Sequence, residues 1–356
     1  MNYYRKNQFL TVERYSNFKP SRKIELKKCY MFSHGDFTYL DPMAHEKTDS
    51  VITEKIHDSV DANLYNEKVF CESYHVFQDV DVDGVTDNRE WAYVRAGIVK
   101  ENNATLTLSK TVVDEDDLAD LFTELGEMNE VSKLQYDDRN YIDEDTIIVF
   151  KPQASAYIAH EILGHSMEED YYNKFIKNIG GYNTGINRRK DFVFKEFNNY
   201  KGFNLRKIDD VGQRVQDEKI IIENGCIKNV ITSKEINDSD GEMLPRVRGT
   251  LLTGKGSISD DYANCIKVHS ISGGYVDFQN NKVNLTLELS ERINHEEKLR
   301  MPRVTIQIDL DSIFDGLIAI GDDVSVYQNY SVKGDQIIDV FTGAPTMIMK
   351  GFQLSK

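Results

Sequence analysis

The residues of this chain best placed to do chemistry lie near its middle. His160 and His165 bracket Glu161 in the run His160-Glu161-Ile162-Leu163-Gly164-His165, an HExxxH pattern. Two neighbouring imidazoles are natural zinc ligands. A glutamate beside the first of them can act as general base on a metal-activated water. The common zinc-protease spacing is HExxH, whose i,i+4 histidines share one helix face. Here the spacing is i,i+5, an offset of about 140° on a regular α-helix. A straight helix would not aim both rings at one ion. A local π-bulge, or a helix loosened at Gly164, would bring them together. The plainer alternative is two unrelated histidines on an amphipathic helix.

The flanking sequence indicates how the motif is carried. Residues 146–150 are a short apolar run of the kind found in buried strands, and residues 154–167 read as helix, with Pro152 at its start. A second amphipathic helix is expected from Asp114, with acids in its first turn and Leu118, Leu121, Phe122, Leu125 and Met128 at helical spacing. Residues 178–185 are glycine-rich and read as a loop. Strand-like stretches occur at 37–40, 74–77 and 91–99, and again at 219–231, 274–278, 282–289, 336–341 and 346–350. Asn224-Gly225 is a type I′ turn signal between two of these runs. The expected fold class is α+β. An N-terminal α/β region over residues 1–145 precedes a mainly antiparallel β domain over 146–356 that carries the HExxxH helix.

The residues around the motif closely resemble the signature of the TldD/PmbA metalloprotease family. In its TldD-like branch the pattern reads roughly H-E-x-x-G-H-x-x-E-x-D, and His160, Glu161, Gly164, His165, Glu168 and Asp170 match it. Downstream, Asp209-Asp-Val-Gly-Gln, Ile220-Ile-Ile-Glu-Asn-Gly, Leu244-Pro-Arg246, Ser272-Gly-Gly-Tyr-Val-Asp, Lys333, Gln336 and Pro345-Thr346 are similar to further family motifs in the same order. The likeness spans roughly residues 144–356. The N-terminal part is shorter than in typical members. The resemblance implies a Zn(2+)-dependent peptidase that cleaves unfolded peptides or peptide precursors, such as leader- or antitoxin-type substrates. It implies a homodimer, or a heterodimer with a TldD/PmbA relative. By carry-over His160 and His165 hold the metal and Glu161 is the catalytic base. The family's third ligand is a cysteine, and the matching position here is Ser331. A hydroxyl is a poor zinc ligand beside thiolate, imidazole or carboxylate. Glu168, Asp170, Cys226 or Cys265 could complete the set instead. With a degraded site, the chain would be a non-catalytic peptide-binding or assembly subunit.

Composition narrows the partners. The 356 residues hold 43 Lys and Arg against 59 Asp and Glu, a formal net charge of −16. That speaks against a general phosphate-backbone binder, so no nucleic acid is expected. No apolar stretch approaches the roughly 20 residues of a membrane span. The first residues lead into no apolar run of a signal peptide, and the four cysteines form no CxxC pair. Reduced thiols in the cytoplasm are expected. Residues 79–90 also satisfy the calcium-loop pattern through Asp79, Asp81, Asp83, Gly84 and Glu90. Their flanks look like strands rather than helices, so an acidic hairpin is the expected structure.

Overall fold

The computed structural model describes residues 3–17, 19–33, 36–40, 64, 67–100, 105–137, 142–236, 241–256, 258, 262–295, 297–334 and 336–355. The first part is an antiparallel meander of β1 (Tyr3–Ser16), β2 (Lys19–Ser33), β3 (Asp36–Leu40), β4 (Lys68–Val82), β5 (Val85–Val99) and β6 (Thr105–Lys110), followed by α1 (Glu115–Lys133). Next come β7 (Ile148–Phe150), α2 (Pro152–Ile158), α3 (Glu169–Lys174), α4 (Gly180–Arg188), β8 (Phe192–Phe197), and the ribbon β9 (Asn199–Tyr200) with β10 (Phe203–Asn204). The strands β11 (Glu218–Glu223), β12 (Cys226–Ile227), β13 (Lys234–Ile236), β14 (Met243–Pro245), β15 (Gly249–Gly254), β16 (Asn264–Asp277), β17 (Lys282–Asn294), β18 (Glu297–Arg300) and β19 (Val304–Asp309) follow. The chain closes with α5 (Ile313–Gly316), β20 (Leu317–Ile320), β21 (Ser325–Lys333), β22 (Gln336–Ala344), β23 (Met347–Met349) and β24 (Gln353–Leu354).

Two large sheets result. The first runs β12-β11-β8-β15-β22-β21-β6-β5-β4-β1-β2-β3, and the second runs β20-β23-β7-β16-β17-β19-β24 with β18 beside β17. Their pairings are antiparallel except β15 with β22 and β7 with β16. The α+β class expected from sequence is the one observed. The first sheet draws strands from both sides of residue 145, where β6 meets β21 at Lys110 and Tyr327. Helix α1 buries Leu118, Leu121, Phe122 and Leu125 in the same apolar core as Ile158, Ile162 and Leu285. Its N-cap is Asp114, whose Oδ1 accepts the Asp117 amide at 2.9 Å.

Local chemistry explains the elements that matter below. The acidic 79–90 stretch is the end of the β4–β5 hairpin, with Asp79 opposite Asn88 and Asp81 opposite Thr86. Asp83 (φ 49°) and Gly84 (φ 85°) form the left-handed two-residue turn that such hairpins favour. The flanking helices of a calcium loop are not there. The glycine-rich 178–185 stretch is not the expected loop: most of it is α4. A Cβ at Gly181 would lie 2.7 Å from the Asp311 carbonyl oxygen, and one at Gly185 would lie 2.8 Å from Phe314 Cβ. Close packing on α5 and the turn before it therefore outweighs the weak helix propensity of glycine.

Candidate metal centre

The motif helix is laid down between the two sheets. Strand β7 ends at Phe150, and Pro152 sits in the first turn of α2, where its missing N–H costs nothing. Helix α2 packs on β16 of one sheet and on β21 and β22 of the other. Its α-geometry stops at Ile158, and residues Ala159–Gly164 form a π-helix, closed by the His165 amide on the His160 carbonyl. Of the two remedies for the i,i+5 offset, the π route is the one taken. Gly164 keeps an ordinary helical φ of −59°. The result is that the His160 and His165 rings meet edge to face with centroids 4.7 Å apart. One donor atom each from His160, Glu161 and His165 lies within 4.8 Å of the others.

The two histidines differ in what holds them. His160 is 7% exposed, and neither Nδ1 nor Nε2 has a hydrogen-bond partner. Burial, and next to it the His165 ring, drive its pKa well below the ordinary histidine range, so it is neutral. His165 is anchored at both nitrogens. Its Nδ1 faces Glu168 Oε2 at 3.2 Å and its Nε2 faces Ser331 Oγ at 3.3 Å. Burial opposes charge on His165, but the Glu168 carboxylate outweighs it and raises the pKa. Burial also raises the pKa of Glu161. Glu168 is fully buried, which alone would raise its pKa. His165, Lys333 and Arg246 reverse this and bring it down to about 2. An ionised Glu168 can only accept, so His165 Nδ1 carries a proton, and in the neutral ring it is Nε2 that has the lone pair.

A tight frame holds Glu168. Lys333 Nζ donates to Glu168 Oε2 and Asp170 Oδ1, both at 2.8 Å, and to the Pro245 carbonyl at 3.0 Å. The Val247 amide donates to Glu168 Oε1 at 3.1 Å. Arg246 Nη2 donates to Ser331 Oγ at 2.8 Å and to its carbonyl at 2.9 Å, while Nη1 donates to Gln336 Oε1 at 2.8 Å. With Arg246 occupying an acceptor site on Ser331 Oγ, the hydroxyl proton is free to point at His165 Nε2.

The fold therefore brings His160, Glu161, His165 and Ser331 to one place. Glu168 and Asp170 are engaged with Lys333 instead. Cys265 is buried against Val149, Ile293 and Ile348, and Cys226 is exposed beside the Asn224-Gly225 turn; neither joins the donor group. His269 is likewise apart, buried with Nε2 3.3 Å from Glu291 Oε1. His34, His45, His57 and the Cys29 side chain lie outside the described residues. Sequence reasoning matched Lys333, Gln336 and Arg246 to motifs without a role for them. The signal was charged and polar residues inside or next to strands, Lys333 in β21, Gln336 in β22 and Arg246 just after β14, where buried charges need partners. Tyr171 also has a place: Lys333 Nζ lies 4.3 Å from its ring centre, and its ring stacks on Phe278 at 4.8 Å.

Buried, unpartnered imidazole nitrogens beside a second histidine and a glutamate fit a divalent transition-metal ion. The class defined by the architecture is a two-sheet α+β chain with its HExxxH helix between the sheets. The two-sheet α+β fold, without regard to the motif, is shared with TldE from Thermococcus kodakarensis, at 10% identity, with a TM-score of 0.69 over 100% of this chain and 97% of that one. It is also shared with two proteins described as candidate modulators of DNA gyrase. The one from Thermotoga maritima is 11% identical, with a TM-score of 0.59 over 99% of this chain and 96% of that one. The one from Bacteroides thetaiotaomicron is 9% identical, with a TM-score of 0.62 over 99% and 94%. No family model and no curated protein matches the sequence. The fold is thus the TldD/PmbA-type fold that the motif resemblance implied.

Proposed function

We propose that the chain is a zinc-dependent peptidase acting on unfolded peptides or peptide precursors, with the HExxxH helix as its catalytic element. The observation that carries this reading is His160, buried with both ring nitrogens unpartnered, within 4.8 Å of donor atoms on Glu161 and His165. His160 and His165 would hold the ion, which when bound supplies Lewis-acid activation of water and of the scissile carbonyl. Glu161 takes the proton of the attacking water and passes it to the leaving amine; its raised pKa suits that exchange near neutral pH. Glu168 fixes the His165 tautomer, as carboxylates behind ligating histidines commonly do.

Substrate would lie along β16. Strand β7 pairs with β16 only at Ile266–Val268. Beyond that, β16 continues against the motif helix, and a Cβ at Gly274 would come within 3.1 Å of the Tyr157 ring. An extended peptide added to a strand edge is bound through its backbone, which tolerates varied sequence. A homodimer, or a heterodimer with a TldD/PmbA relative, and a cytoplasmic setting complete the proposal. Among the described residues, no helix is long and apolar enough to cross a membrane.

A second reading has its own observation. Ser331 stands where the resemblance expects a cysteine ligand, and it occupies His165 Nε2. On that reading the chain binds peptide, or completes a dimer, without cutting. Glu161→Gln separates the two. The peptidase reading expects this variant to bind zinc with hydrolysis of a quenched fluorescent peptide reduced by roughly 10²–10⁴-fold. Undiminished hydrolysis would remove Glu161 from the mechanism. Zinc bound by neither wild type nor variant would favour the binding subunit.

A further inference from the structure

The geometry points to Tyr182 as the positioning residue that holds the motif helix in its π register. The inference rests on the metal-site reading for its purpose, but its structural part stands without it. A regular α-helix would set His160 and His165 about 140° apart, whereas a turn bonded i to i+5 returns the fifth residue to nearly the same face. Such turns are short and rare, and need support from outside. Here the chain passes from the π-helix directly into a 3₁₀ turn at His165–Met167. A junction of that kind disturbs the regular carbonyl partners of the last π residues. In the middle of the segment, the Ile162 carbonyl accepts the Tyr182 hydroxyl at 2.9 Å, across 20 residues of sequence.

The glycine-rich stretch is what delivers that hydroxyl. Gly181 and Gly185 flank Tyr182, and both tolerate only hydrogen toward Asp311 and Phe314. Helix α4 thus sits deep enough for the fully buried Tyr182 ring to pack edge-on against Phe314 at 5.0 Å. Phenylalanine would nearly fill the same volume and lack the hydroxyl that donates to the Ile162 carbonyl and also meets Ser166.

The test uses wild type, Tyr182→Phe, and the full chain with p-aminophenylalanine at position 182, which restores an N–H donor on the same ring. Hydrogen exchange of residues 159–166 is followed in metal-free protein, and zinc affinity is followed by competition with a chromophoric chelator. In Tyr182→Phe, exchange in 159–166 should rise while α1 keeps its protection. Zinc affinity should fall roughly 10–100-fold. The amino variant should recover both. Unchanged exchange and affinity in Tyr182→Phe would overturn the inference. So would equal impairment of the two variants, or a rise in exchange spread evenly over α1. If wild type takes up no zinc, the metal-site reading fails, and the exchange experiment still decides the role of Tyr182.

Discussion

Two buried glutamates, Glu235 and Glu168, use similar partners to different ends. Glu235 is fully buried and receives Arg206 Nη1 at 2.9 Å, Arg248 Nη2 at 2.9 Å and Arg248 Nε at 3.1 Å, with Arg89 Nη1 3.9 Å away. Those arginines also meet Asp87, Asp210 and Glu196, and Arg248 lies over Trp91 at 5.0 Å. Charge answers charge within the cluster. Glu168 is equally buried and is framed by Lys333, Arg246 and the Val247 amide. Its remaining bond goes outward to His165, and beyond His165 stands His160 with no partner at either nitrogen. One network sets charge against charge and serves the fold. The other ends in unused donors, the arrangement expected where a ligand completes the shell.

The largest effect should come from breaking the Glu235 network. Glu235→Ala leaves three buried arginines short of charge and should cost about 3–5 kcal/mol in urea denaturation. Its arginine partners, led by Arg248, hold the Glu235 carboxyl well below the ordinary carboxylate range despite its burial. A depressed folded pKa contributes stability that is full above about pH 4.5 and is lost as pH falls through the folded value. Wild type should therefore weaken below about pH 4.5, and Glu235→Gln should show a flatter acid limb. An unchanged acid limb would mean that the arginines do not hold the charge.

The open network predicts a smaller and different loss. Glu168→Gln should lower zinc affinity roughly 10–100-fold, because the amide no longer fixes His165 as the carboxylate does. Isothermal titration calorimetry reads this directly, and equal affinities would sever Glu168 from the site. Smaller still is Ser331→Ala, which should leave zinc affinity nearly unchanged, while Ser331→Cys should tighten it by supplying a thiolate. Abolished binding in Ser331→Ala would make the hydroxyl a ligand. The smallest effect concerns the β4–β5 hairpin. Millimolar calcium should leave the thermal midpoint unmoved, since Asp79 and Asp81 are spread along a strand rather than around an ion.

The ease of reading the sequence followed the range of the interactions. For both rings to face one ion, the HExxxH spacing and its 140° arithmetic called for a distorted helix, and residues Ala159–Gly164 form a π-helix. Helix α1, its start near Asp114 and the Asn224-Gly225 turn were legible because their causes lie within a few residues. Helix α4 was not, because its cause is a close approach to residues 311–314, more than a hundred positions away. The same holds for Lys333 and Arg246, which reach Glu168 and Ser331 across 165 and 85 residues. Periodicity carries no information on such pairings.

The central claim is that His160, Glu161 and His165 form a metal site, and metal analysis of the purified chain tests it most directly. Wild type dialysed against micromolar zinc should retain about one ion per chain by mass spectrometry, and His160→Ala, with its fold intact by circular dichroism, should retain none. Equal zinc in the two proteins, or none in wild type, would contradict the account.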